Sequence, residues 1–155
     1  MDEIVVVYWS GSGNTQMMAQ AIGQGIEEEG KKAKVVYVDD ITPDELKKAS
    51  LFAMGCPAMG DEVLEEGSME PFVEAVEGFA GGKTVALFGS YDWGDGAWMR
   101  DWENRMRDAG AFLLNDAGLI VNNEPDEEGL AACRQLGSRS RIFLCLFQAL
   151  SQTGR

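Results

Sequence analysis

The sequence predicts a three-layer α/β fold: a doubly wound sheet of five parallel strands in the order 2-1-3-4-5. Three observations carry this. Short runs rich in Val, Ile, Leu and Phe alternate with helical patterns along the chain, as in a parallel sheet covered on both faces. The first apolar run passes straight into a glycine-rich loop and then a helix. Two further junctions, Cys56–Glu62 and Gly89–Gly96, are equally specialised in composition. Right-handed crossovers in this strand order bring all three loops to the carboxyl ends of the strands, beside the switch point where such folds bind ligands.

Each element follows from local pattern. Ile4 to Val7, extended by Tyr8 and Trp9, reads as the first strand. A helix follows from about Thr15 to Glu29, with Met18, Ala21, Ile22 and Ile26 on one face and Gly30 as its stop. The second strand runs from Ala33 to Val38 and ends at Asp39-Asp40. Ile41 to Lys48 is a connection with one helical turn, Thr42 capping it and Pro43 at its first position. The third strand, Leu51 to Gly55, leads into a long loop through Gly67 and a helix from Met69 to Phe79. Thr84 to Phe88 is strand four, and a helix from Ala97 to Ala109 follows the loop after it. Strand five is broken at Asp116 into 111–115 and 118–121. Asp126 to Gln148 is helical, with a weak point at Gly137-Ser138.

Composition narrows the function. With 155 residues, 45% apolar and 25% charged, one domain over 1–155 is expected, 142–155 forming a C-terminal extension. The net charge of −13 argues against nucleic acid and anionic membranes as partners and for proteins with basic faces. There is no histidine, so Ser-His-Asp and Cys-His chemistry is excluded, as are the commonest zinc sites. Cys56, Cys133 and Cys145 have no Cys-x-x-Cys spacing. Asp2 and Glu3 stand where a signal peptide would be basic, and no apolar run approaches the roughly 20 residues that span a bilayer. A cytoplasmic location is expected.

The loop Ser10-Gly11-Ser12-Gly13-Asn14-Thr15 is built to receive an anion. The first N–H groups of a helix lack partners, and the helix dipole is positive there. Gly11 and Gly13 let the backbone curl closely, while Ser10, Ser12, Asn14 and Thr15 supply short hydrogen-bonding side chains. The loop has no Lys or Arg, so a phosphate would be held by neutral donors. A P-loop is excluded because no lysine follows Gly13. A dinucleotide fingerprint lacks its third glycine, Gln16 standing there, although Asp39 and Asp40 supply an acidic strand end. A phosphoacceptor domain would end strand three on aspartate, where this chain has Met54-Gly55-Cys56-Pro57.

The second loop reads Pro57-Ala58-Met59-Gly60-Asp61-Glu62, its methionine suited to packing on a flat ring. The third reads Gly89-Ser90-Tyr91-Asp92-Trp93-Gly94-Asp95-Gly96; an exposed tryptophan between small and polar neighbours suits a cover for something flat. Trp98 and Trp102, four residues apart, belong to the core. With these three loops in register, the chain resembles the short-chain flavodoxins of clostridial type from Ile4 to about Arg141.

That resemblance implies tightly bound FMN and low-potential one-electron transport on the semiquinone/hydroquinone couple between redox enzymes. It assigns Ser10 to Thr15 to the phosphate, Met59 to the inner face of the flavin ring and Trp93 to the outer face. It sets the backbone of Gly60 opposite N5 and Glu62 near the N3 edge, and has Gly89, Ser90 and Tyr91 line the pyrimidine end. Asp95, beyond Gly94, lies close by. Asp92 departs from the family's usual glycine and would be strained if its φ were positive.

Charge on Asp61, Glu62, Asp92 and Asp95 would oppose the second electron. From Asp61 to Glu77 there are seven acidic residues and no basic one, which suggests a docking face for ferredoxin- or flavodoxin-dependent oxidoreductases. A monomer is expected. An NAD(P)H:quinone reductase is the alternative, but a tryptophan lid at Trp93 would obstruct a nicotinamide. The apolar tail Ile142 to Arg155 reads as a prolonged last helix, with a docking or dimer surface as the other possibility.

Overall fold

The structure, a computed structural model, describes residues 3–139. Strands β1 (Glu3–Tyr8), β2 (Lys32–Tyr37), β3 (Leu51–Gly55), β4 (Thr84–Tyr91), β5 (Phe112–Leu113) and β6 (Leu119–Asn122) form one sheet. Helices α1 (Asn14–Glu28), α2 (Met69–Glu77) and α3 (Ala97–Asp108) alternate with them, and α4 is helical over 127–139. The order is β2-β1-β3-β4-β5, with β6 also paired to β4, and every pairing is parallel. Residues 140–155, which include the end of the expected last helix and the apolar tail, lie outside the described residues.

Period-two alternation divides the strands between two cores. Val5, Val7, Phe52, Met54, Val85 and Leu87 face α2 and α3, and pack on Val73, Val76, Trp98 and Trp102. Ile4, Val6, Ala53, Ala86 and Phe88 face the other way, onto Met18, Ile22 and Ile26 of α1 and Cys133 and Leu136 of α4. Phe52, Phe88 and Trp98 are buried, each such side chain contributing about 1.5–3 kcal/mol.

The broken fifth strand is real, and its cause is local. Asn115 and Asp116 have φ of 66° and 64° and separate β5 from β6. Side chains of α3 hold the break: Arg107 Nη2 donates to the Asp116 carbonyl (2.8 Å), and Gly118 N–H donates to Glu103 Oε2 (2.7 Å). Beyond it, β6 pairs Phe88 to Tyr91 with Leu119 to Asn122. Gly89, Ser90 and Tyr91, expected in a loop, therefore extend β4. The short turn at Pro43–Leu46 carries the expected cap, Thr42 N–H donating to Glu45 Oε2 at 2.9 Å.

Gly137 is no weak point. A Cβ there would overlap the carbonyl of Ile22, and one on Gly25 would overlap that of Arg134. These two glycines let α1 and α4 meet backbone to backbone, which fixes α1 and hence the loop at its start.

Candidate functional site

The carboxyl ends of β1, β3, β4 and β6 open into a cleft of about 230 Å³. Main-chain bonds hold its floor: Trp9 N–H to the Gly55 carbonyl, Cys56 N–H to Phe88, Ala58 N–H to Ser90, each 3.0–3.1 Å. Trp98 Nε1–H, from α3, adds a buried bond to the Cys56 carbonyl at 3.0 Å. Burial pushes the Cys56 thiol pKa up to about 12, so this cysteine is a packed, protonated group.

In the first loop, Gly13 sits at the helix start with φ 98°, where a side chain would be strained. Ser10 Oγ accepts N–H bonds from Gly13 (3.1 Å) and Gln16 (3.3 Å), closing the loop on itself. Gly11, Ser12 and Asn14 line the cleft. Thr15 is buried, its Oγ1 bonded to Ser90 Oγ at 3.0 Å. Ser10, Gly13 and Thr15 therefore shape the loop from behind.

The second loop gives Pro57, Ala58 and Met59 to the cleft. Met59 and Val63 exchange two N–H···O bonds of 2.9 Å, enclosing Gly60, Asp61 and Glu62 in a tight turn. Gly60 has φ 48° and Glu62 φ 58°. Glu62 is turned toward α3: its Oε1 accepts N–H bonds from Gly96 (3.1 Å) and Ala97 (3.0 Å).

From the third stretch, Ser90, Tyr91 and Asp92 line the cleft, while Gly89 is buried against Cys56. Trp93 stands 59% exposed, an area of apolar surface that asks for a flat cover or partner. Among the described residues, those other than glycine in the left-handed region are Glu62, Asn115, Asp116 and Asn123, so Asp92 escapes the strain considered for it. Asp95 is paired with Arg100 at 2.9 Å, and that hydrogen bond raises the guanidinium pKa.

Two lining residues escaped the sequence reading. Trp9 read simply as the end of a strand, yet it borders the cleft and packs on Gly11. Asn123 also lines it, with φ 61° and its N–H donating to the Tyr91 carbonyl at 2.6 Å. The signal available was the Asn122-Asn123 pair, placed just beyond a strand's carboxyl end.

The acidic stretch is less free than its sequence suggests. Arg105 of α3 bonds both Glu70 oxygens (2.8 and 2.9 Å) and both Glu77 oxygens (3.0 and 3.1 Å). Glu65 accepts N–H bonds from Gly67, Ser68 and Met69 at the start of α2. Burial opposes its charge, but those donors outweigh it and lower its pKa. With Glu62 committed to α3, the exposed acids left in the stretch are Asp61, Glu66 and Glu74.

The site fits FMN. A glycine-shaped helix N-terminus offers neutral donors at one end, and a cleft bounded by Met59, Tyr91 and Trp9 suits a flat ring. No Lys or Arg lines it.

Comparison with known proteins agrees. The flavodoxin family profile matches residues 6–137. The flavodoxin of Clostridium beijerinckii is 53% identical over 122 residues, 79% of this chain and 88% of that protein. The flavodoxin of Megasphaera elsdenii is 40% identical over 134 residues, 86% of this chain and 95% of that one. The solution structure of two-electron reduced Megasphaera elsdenii flavodoxin superposes with a TM-score of 0.79 at 39% identity, covering 87% of this chain and 96% of that chain. The chain thus belongs to the flavodoxin family and is an FMN-based electron carrier, an electron-transfer protein rather than an enzyme.

Proposed function

We propose that this chain is a monomeric, single-domain carrier of low potential that passes single electrons between redox enzymes in the cytoplasm. The loop Ser10–Thr15 holds the FMN phosphate, Met59 and Trp93 cover the two ring faces, and the Gly60 turn faces N5. The observation that carries this reading is the cleft itself, lined jointly by Gly11, Ser12 and Asn14, by Met59, and by Tyr91.

FMN supplies the redox chemistry; the chain supplies binding, orientation and field. Asp61 and Asp92 are exposed near the ring end and set negative charge against adding a second electron. Asp95, paired with Arg100, adds less. The same exposed charge, with Glu66 and Glu74, supports docking of basic-faced ferredoxin- or flavodoxin-dependent oxidoreductases. Among the described residues no helix is long and apolar enough to cross a membrane.

Anaerobic photoreduction followed by absorbance tests this. Two resolved one-electron steps at one FMN per chain are expected. A single two-electron step, or steady NAD(P)H oxidation by the protein alone, overturns it.

A further inference from the structure

Away from the FMN cleft, and sharing no lining residue with it, a cleft of about 310 Å³ opens between the β5–β6 break and α4. Leu119 lies on one wall, Ala132, Gln135 and Leu136 on the other. Arg139 of α4 joins the two walls, donating from Nη1 to Asn115 Oδ1 at 3.0 Å. The strand wall is held in place from behind. Asn115 and Asp116 keep left-handed backbones at φ 66° and 64°, a strain that persists only where the surroundings over-determine it. Here Arg107 binds the Asp116 carbonyl at 2.8 Å, and Glu103 Oε2 accepts from Gly118 N–H at 2.7 Å. A Cβ on Gly118 would overlap Met99 Sδ, so the wall also rests directly on α3.

The charge of this cleft runs against that of the molecule. In a chain of net charge −13, its described lining holds one cation, two side-chain amides and no acid. From 129 to 139, α4 carries Arg134 and Arg139 and again no acid. A guanidinium has five N–H donors in a planar fork that matches a carboxylate, and Asn115 accepts from one of them. Leu119, Ala132 and Leu136 make the rest of the surface apolar.

We propose that this cleft is a second binding site, one for a small carboxylate with a short apolar body. Arg139 and the Gln135 amide receive the carboxylate, and Leu119, Ala132 and Leu136 pack on the body. A cation of the same shape meets Arg139 as a like charge, and a bare anion leaves the apolar lining uncovered. The site stands apart from FMN binding, since the two clefts have no residue in common.

The test is an NMR titration of the full chain with hexanoate, with acetate and hexylamine as comparisons. Hexanoate should give saturable shifts of the Gly118, Leu119, Ala132 and Gln135 amides and leave those of Gly11 and Ser12 in place. Acetate, which lacks the body, should bind about tenfold more weakly or less still. Hexylamine, with the body kept and the charge reversed, should not saturate those shifts. Gln135→Glu sets a like charge in the cleft from an exposed position and spares the Arg139–Asn115 bond. It should weaken hexanoate about tenfold or more, as should Arg139→Gln, while Arg139→Lys should fall between. Four results overturn the site: no saturable shift in the full chain, shifts that map outside the cleft, hexylamine binding as well as hexanoate, or unchanged affinity in Gln135→Glu. Should Arg139→Gln not fold, Gln135→Glu decides the matter alone.

Discussion

Thr15 Oγ1 and Ser90 Oγ lie 3.0 Å apart, both buried, with 75 residues between them in sequence. One hydroxyl donates and the other accepts, so this bond locks the anion loop to the end of β4. Thr15 thus serves the loop's shape as well as any ligand. Thr15→Ala should cost about 1 kcal/mol in chemical denaturation, since it leaves Ser90 without its buried partner. It should also weaken FMN more than riboflavin, because only FMN presents a phosphate to the loop. Thr15→Ser should restore both. Equal losses for the two flavins would remove Thr15 from phosphate binding.

Gly60 has φ 48° in the turn closed by Met59 and Val63, and nothing lies within 4 Å of where its Cβ would stand. Any cost of a side chain there is therefore backbone strain rather than a clash. Gly60→Ala should lower the first one-electron potential relative to the second, because the turn then resists presenting the Gly60 carbonyl toward N5. The hydrogen bond at stake is worth on the order of 1 kcal/mol. If FMN affinity falls while both potentials stay put, Gly60 serves only to form the turn.

Glu65 links acid stability to the start of α2. Its carboxylate is held below the ordinary value of 4.5, burial being outweighed by the N–H groups of Met69, Ser68 and Gly67. The unfolded chain takes up this proton first as pH falls. The contribution is therefore complete above pH 4.5 and is lost as pH drops through the folded value. Glu65→Ala should cost about 1 kcal/mol at neutral pH. Urea titrations from neutral to acid pH should show the gap closing in that window; a constant gap would contradict it.

Gly25 and Gly137 bring α1 and α4 into backbone contact, where a Cβ would strike the carbonyls of Arg134 and Ile22. Gly25→Ala should destabilise by about 1–3 kcal/mol, although alanine favours helix at an isolated site. Gly30→Ala provides the contrast: its φ of 86° strains a side chain but its Cβ would meet nothing. Thermal melts that show Gly25→Ala as neutral would refute the close packing.

Electron transfer to a basic partner should slow as salt rises, since screening shortens the reach of surface charge to about 8 Å at physiological ionic strength. The bonds of Arg105 assign this effect to particular acids. Asp61→Asn or Glu74→Gln should reduce the salt dependence. Glu70→Gln should act chiefly on stability, as it removes one of the two carboxylates that pair with a half-buried guanidinium. Stopped-flow rates across a salt series separate the two groups.

Much of this molecule is written locally. The strand and helix order, the capped turn at Thr42, the break at Asn115-Asp116 and the three loops were legible because alternation, capping and glycine placement act over a few residues. Burial of Trp98 and Trp102 followed from their spacing on one helical face. The three loops meet in the cleft because strand order dictates it.

What the sequence by itself determined was the fold class, the family and the neighbourhood of the site. The tertiary structure alone decided which charges are free and which are used. Glu62 also accepts bonds from the start of α3, and the run Asp61–Glu77 loses Glu70 and Glu77 to an arginine that sequence places 35 and 28 residues away. Gly137 reads as a helix breaker until α1 is laid against it, and Gly89 to Tyr91 read as loop until β6 pairs with them. The physical reason is common to all four. A side chain's charge, size and flexibility are properties of the residue, but its partner is set by elements that become neighbours only when the sheet is assembled.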